Sequence, residues 1–208
     1  MTSSDTIRRP CCSRCLRPIS TCLCRWIRPT ANQLSVLLLQ HPAEVHHAKG
    51  SARLLQLSLS DCVCRVGERF DPDELLGDAA GRTALLYPAA APTADPAPPA
   101  LGKTALRRLV VLDGTWRQSR SLLRLNPWLQ LLPRFALAQP PPSRYLIRKP
   151  QAPEQRSTLE ATCMALGELE LRPERYAPLL QAFEAWIGEA QRHQTLSTQE
   201  RPREAGAA

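Results

Sequence analysis

The sequence predicts an α/β domain on a mostly parallel sheet, with a small cysteine-rich segment in front of it. Three observations carry that expectation. Short apolar runs of strand length alternate with stretches of helical periodicity. Those runs are continuous rather than alternating, as strands covered on both faces require. Four cysteines, Cys12, Cys15, Cys22 and Cys24, crowd a proline-punctuated N-terminal stretch that has too few apolar residues for a core of its own.

The elements follow in order. "LSVLLLQH" (34–41) reads as a buried strand, and "KGSARLLQLSL" (49–59) as a helix returning across the sheet. "CVCRVG" (62–67) has a β-prone alternation, and "TALLYP" (83–88) is a buried strand stopped by Pro88. The stretch 89–103 is too rich in Pro and Ala to pack and reads as a mobile loop or lid. "RRLVVLD" (107–113) is the clearest strand of the chain, followed by a helix from Thr115 to Asn126 that Pro127 ends. "LPRFAL" (132–137) is a further strand candidate, and residues 139–155 form an irregular basic loop. Two helices, 157–170 and 173–192, close the chain. The expected division is a zinc-binding four-cysteine segment (1–32), a catalytic domain (33–193) and a polar, disordered tail (194–208). In parallel α/β sheets, ligands sit beyond the carboxyl ends of the strands, which places His41, Pro88 and Asp113 on one rim.

The 208 residues carry a formal net charge of +8, unevenly spread. Residues 1–32 hold six basic and one acidic side chains, and residues 103–156 hold eleven and two. The segments 33–102 and 157–208 each hold five basic and eight acidic. Two basic blocks in an otherwise acidic chain suggest a polyanion-binding face, the alternative being arginine spread over solvated surface. No apolar run is long enough to span a membrane, and the N-terminus lacks the apolar core of a signal peptide, so the expected location is the cytoplasm. Clustered cysteines there more often bind metal than pair as disulfides. Cys12-x-x-Cys15 and Cys22-x-Cys24 can close a tetrahedral site around zinc, with a reduced or redox-active cluster as the alternative. Cys62, Cys64 and Cys163 fall in expected core elements and read as small apolar side chains.

With "LDGTW" and the cysteine spacing together, the chain resembles the DTW-domain proteins, in particular the bacterial tRNA-uridine aminocarboxypropyltransferases. The family's Asp-x-Thr-Trp stands as Asp113, Gly114, Thr115 and Trp116, and its CxxC-x6-CxC as the four cysteines. Its His-Pro-x-Glu block and the residues after it resemble His41, Pro42, Glu44, Lys49, Ser51, Arg53 and Leu54, with Ser51 for the usual Thr and Gly50 where Asn is common. Leu86-Tyr87-Pro88, Tyr145 with Arg148, and Ser157-Thr158-x-Glu160 are similar to further family blocks in the family's order. The resemblance implies a SPOUT-like domain with a knotted C-terminal half. It implies transfer of the 3-amino-3-carboxypropyl group of S-adenosylmethionine to N3 of a tRNA uridine, by a monomer or a homodimer.

The residues divide accordingly. The reaction leaves a neutral thioether and needs no general acid, but uridine N3 must lose its proton. Asp113 is the first candidate base; it can equally hold the donor's ammonium, or serve only as the N-cap of the following helix. Glu44 is the next candidate base and His41 the third. Pro88, Gly114, Thr115, Trp116, Ser157, Thr158 and Glu160 are expected to line the donor cleft. Gly114 reads as a close backbone approach to ligand, and Trp116 as core packing with a second use beside the adenosine. Ser157, Thr158 and Glu160 read equally as a local helix cap. Lys49, Arg53, Arg117, Arg120, Arg124, Arg144, Tyr145, Arg148 and Lys149 are the candidate RNA contacts. No glycine-rich dinucleotide fingerprint or Walker loop is present.

Overall fold

A computed structural model describes residues 10–45, 47, 50–88, 106–137 and 156–199, with 193–199 as backbone alone. Five strands form one sheet: β1 (Ser35–Gln40), β2 (Cys62–Val66), β3 (Thr83–Leu86), β4 (Arg108–Asp113) and β5 (Arg134–Phe135). Their order is β2-β1-β4-β3-β5, and every pairing is parallel. The carboxyl ends at Gln40, Leu86 and Asp113 therefore share one rim, as the sequence led us to expect.

A parallel sheet must be covered on both faces, and alternate residues of the strands divide between two cores. Val36, Leu38, Ala84, Leu109 and Val111 pack in one buried cluster with α1 (Ala52–Ser58), α5 (Thr158–Leu169) and α6 (Pro173–Gln199). Leu37, Leu39, Leu85, Val110 and Leu112 pack in the other with α2 (Pro72–Leu76), α3 (Trp116–Leu125) and α4 (Trp128–Leu131). β4 lies between β1 and β3 and is buried from Leu109 through Asp113. Among the described residues β2 has a strand neighbour on one side only, and its Val63 and Val66 are exposed. Cys62 and Cys64 are accordingly half-buried at the sheet edge rather than core residues, whereas Cys163 is fully buried as expected.

Some boundaries differ from the sequence expectation, each for a local reason. α1 begins at Ala52 rather than 49, because Gly50 closes a turn on the His47 carbonyl. The strand expected at 132–137 shrinks to Arg134–Phe135; Pro133 has no N–H for the ladder, though its carbonyl still accepts from Leu85. α2 and α4 are too short for their periodicity to be read in advance. Asp71 caps α2, accepting from the N–H groups of Asp73 and Glu74. α6 runs on to Gln199, past the helix end expected at 192, since no Gly or Pro interrupts residues 189–199. Among the described residues no helix is long and apolar enough to cross a membrane.

The turn between α5 and α6 is close. A Cβ at Gly167 would lie 2.9 Å from the Cα of Pro173, so only glycine fits there. Glu170 then ties this turn to the start of β1. Its Oε1 accepts from the N–H of Gln33 at 2.7 Å and of Leu34 at 3.0 Å. Its Oε2 accepts from Arg175 and from the Tyr176 hydroxyl, each at 2.8 Å, and the side chain is 1% exposed. Removing a buried acceptor leaves all four donors uncompensated, so Glu170→Ala should lower unfolding free energy by about 3 kcal/mol. Urea denaturation measures this; a loss well under about 1 kcal/mol would mean water replaces the carboxylate.

Candidate active site

Strand alternation builds the site. Leu109, Val111 and Asp113 point to the α5 side of the sheet, as do Val36, Leu38 and Gln40, and Gln40 is the register partner of Asp113. The Gln40 amide consequently donates to Asp113 Oδ2 at 2.7 Å. From the first turn of α5, the Thr158 hydroxyl donates to Asp113 Oδ1 at 2.6 Å. Asp113 is only 5% exposed, and each of its carboxylate oxygens accepts from a protein donor. One lone pair on each oxygen is left for a further donor. The N–H of Leu159 donates to Ser51 Oγ at 3.3 Å, which seats α5 on the start of α1 beside this cluster. Ser in place of the usual Thr keeps that acceptor.

The helix starts at the rim resolve the capping question. Thr115, not Asp113, is the N-cap of α3: its hydroxyl accepts from the Gln118 N–H, and the Gln118 side chain accepts from the Thr115 N–H in return. Asp113 lies two residues earlier and is not the cap. A Cβ at Gly114 would lie 3.0 Å from Gln118 Cβ and 3.6 Å from His41 Cβ, so the glycine accommodates this capping turn. Ser157 and Glu160 form the equivalent box on α5, and both are buried.

Glu44 is 6% exposed at the end of a short turn, Pro42–Glu44, that begins where the N–H of His41 bonds the Asp113 carbonyl at 3.0 Å. Both ring nitrogens of His41 are engaged: Nδ1 accepts from the Ala43 N–H at 3.2 Å, and Nε2 lies 3.2 Å from Glu68 Oε1. Pro88 is exposed at the end of β3. Trp116 is 41% exposed and packs edge-to-face on Tyr87, which corrects the expectation of a core residue. It is the first residue of α3 and lies beyond the carboxyl ends of the strands. Two residues beside the site were not singled out from sequence. Gln40 could have been, as the polar end of an apolar strand. Arg156, half-buried with no hydrogen-bond partner at Nε, carries no such signal.

The four cysteines form a second centre. Their Sγ atoms all lie within 4.8 Å of one another, with Cys12–Cys24 at 3.6 Å and Cys15–Cys22 at 3.7 Å. Tetrahedral zinc with Zn–S bonds of about 2.3 Å requires sulfurs about 3.8 Å apart, so the thiols fit that ion. The backbone N–H groups of Cys15 and Arg14 hold the Cys12 thiol down at about 6, while burial and the neighbouring Cys12 push Cys24 up to about 12. A dication would relieve the second effect. The segment is seated on the body of the protein: Cys15, Leu23 and Ile27 share the buried cluster of α5 and α6. Arg17 stacks 4.9 Å over Trp186, and Arg25 pairs with Glu189. Arg53, expected to meet RNA, donates to the Arg14 carbonyl at 2.6 Å and to Gln56, and so props this segment.

Arg117, Arg120 and Arg124 are exposed along one side of α3, at the helical spacing that keeps them together. Lys49, Arg144, Tyr145, Arg148 and Lys149 lie outside the described residues, as do the loop at 89–103 and the whole basic loop at 139–155. If the α3 stripe meets phosphates, each Arg→Gln substitution should reduce the salt dependence of RNA affinity by about one unit of slope. Binding titrations at several salt concentrations measure it, and an unchanged slope would remove that side chain from the interface.

The sequence profile of the DTW domain matches residues 9–191. The chain belongs to the DTW domain family. All the motif blocks quoted from the sequence lie inside the matched span, including the Asp-x-Thr-Trp at 113–116. This DTW chain is 33% identical over 176 residues to a Drosophila melanogaster protein named tRNA-uridine aminocarboxypropyltransferase 2, covering 80% of the chain and 69% of the fly protein. Mouse and Macaca fascicularis proteins of the same name are each 30% identical over 178 residues; the match covers 78% of this chain and 57% of each of them. These relatives are animal proteins, whereas the motif resemblance pointed to the bacterial branch. No solved structure matches the chain significantly.

Proposed function

We propose that this DTW-domain protein transfers the 3-amino-3-carboxypropyl group of S-adenosylmethionine to N3 of a uridine in tRNA, releasing methylthioadenosine. The observation that carries this reading is Asp113, a buried carboxylate aligned by Gln40 and Thr158 at the carboxyl rim of the sheet. The names of the relatives support the reaction class.

The sulfonium donor supplies an electrophilic carbon next to sulfur. Asp113, with a lone pair free on each oxygen, holds the donor's ammonium and so fixes which carbon faces the nucleophile. Taking up a proton itself would weaken the charge-assisted bonds from Gln40 and Thr158. Glu44, a buried acid of the motif set that stands on the loop next to Asp113, then takes the N3 proton; Glu160, also buried, is engaged in the cap of α5. As N3 bonds to the carbon, the C–S electron pair remains on sulfur and a neutral thioether leaves. Gly114, Thr115, Ser157, Thr158, Glu160 and Pro88 border the donor, and the four cysteines hold a structural zinc ion. The protein works in the cytoplasm, as a monomer or a homodimer, with tRNA as its partner. Residues 1–32 form the zinc segment, and the catalytic domain begins at 33. We take the domain to be SPOUT-like with a knotted C-terminal half, a reading that rests on the family resemblance and is compatible with the parallel sheet.

Incubating the protein with tRNA and carboxyl-labelled S-adenosylmethionine tests the reading. Label in tRNA nucleosides together with released methylthioadenosine is the expected result. Label confined to S-adenosylhomocysteine would replace it with methyl transfer. No product, with RNA binding that survives Asp113→Ala, would leave a non-catalytic RNA-binding protein.

A further inference from the structure

An aromatic pair beside the site, half-buried Tyr87 and exposed Trp116, has no part in the mechanism above. Tyr87, just past the end of β3, and Trp116, the first residue of α3, meet edge-to-face with centroids 5.8 Å apart and planes at 74°. The Arg134 guanidinium lies 5.3 Å from the centroid of the Tyr87 ring and is steadied by a 3.2 Å bond to the Pro88 carbonyl. Burial raises the Tyr87 phenol, and the positive charges of Arg134 and Arg120 pull it back, so both cations stand near the ring. Trp116 is 41% exposed although it lies three residues beyond buried Asp113.

The segment that carries Trp116 and Arg134 is one-signed. Residues 114–137 contain four arginines and no acid, and Arg117, Arg120 and Arg124 continue from Trp116 along the exposed side of α3. Aromatic rings interleaved with cations receive single-stranded nucleic acid, whose bases stack while its phosphates meet the charges. A small-molecule nucleoside is normally enclosed by a concave pocket that buries most of its surface. A ring left two-fifths open suits the former better.

We propose that Tyr87 and Trp116, braced by Arg134, form a ledge on which an unpaired base flanking the target uridine of tRNA stacks. The proposal rests on the tRNA reading above, and it moves Trp116 from the donor side of the site to the acceptor side. The ledge holds the strand while the neighbouring uridine reaches the rim at Asp113. Arg120 and Arg134 meet the phosphates on either side of the stacked base.

Trp116→Leu, Tyr87→Leu, Trp116→Phe and Arg120→Gln separate the contributions. Affinity for an unmodified tRNA transcript is measured by fluorescence anisotropy over a range of salt, and S-adenosylmethionine affinity by calorimetry. Each Leu variant should weaken tRNA binding about 10-fold with its salt slope unchanged, because a stacking surface and no charge is lost. Donor affinity should not change, and Trp116→Phe, which keeps a ring, should retain most of the tRNA affinity. Arg120→Gln should instead lower the salt slope by about one. Weakened donor binding with intact tRNA binding would overturn the ledge and make the pair a wall of the donor site. Silent Leu variants in a protein that binds tRNA would overturn it outright. A wild-type protein that does not bind tRNA would defeat the tRNA reading itself, and the ledge with it.

Discussion

Asp113→Asn should reduce transfer to tRNA at least about 100-fold in kcat/KM, or about 2.7 kcal/mol of transition-state stabilisation. The amide has the shape of the carboxylate but one acceptor oxygen and no charge. Thr158 can rotate its hydroxyl to accept, and Gln40 can turn its amide, so the fold should survive where the charge does not. The two active roles of Asp113 separate in the kinetics. As an ammonium anchor, its loss weakens S-adenosylmethionine binding along with turnover; as a base, its loss lowers kcat and leaves donor affinity intact. Label transfer and calorimetry on the same preparation decide this. Turnover near wild type would remove Asp113 from the chemistry altogether.

Removal of metal should have the largest effect on stability. Four thiolates fill one tetrahedral site, so metal analysis should find about one zinc ion per chain. Structural zinc contributes on the order of 10 kcal/mol to the folding of such segments. Chelation, or Cys15→Ser, should therefore release the N-terminal segment from α6. Leu23 and Ile27 would leave the core, and Trp186 would lose the Arg17 guanidinium stacked on it. A marked fall in Tm and a change in tryptophan fluorescence are the expected readouts. Metal-free protein with an unchanged Tm would show that hydrophobic seating alone holds the segment.

Much of the fold was legible in the chain. β1 and β4 were readable because strands buried on both faces must be continuously apolar, and Val36–Leu39 and Leu109–Leu112 are. α5 was readable from its Ser157-x-x-Glu160 box, which caps locally whatever the tertiary context. α2 and α4 were not, since about one turn of helix has no period to detect; each is held in part by packing Leu76 or Leu129 beneath the sheet. Trp116 misled for a related reason. A large aromatic in a helix usually marks a buried face, but one in the first turn of α3 stands beyond the strands that would cover it.

The site divides along the same line. Residue type and spacing along the chain determined the cysteine cluster, the strand tip at Asp113 and the basic stripe of α3, because each depends on neighbours a few residues apart. Tertiary structure alone decided what Asp113 touches. Gln40 is 73 residues away and Thr158 is 45, and only the register of β1 against β4 and the seating of α5 bring them within 2.7 Å. The cap of α3 passed to Thr115 for a local reason, but Asp113 is held at the rim by contacts that no local pattern encodes. Register and packing act between segments, and a short window of sequence holds one segment at a time.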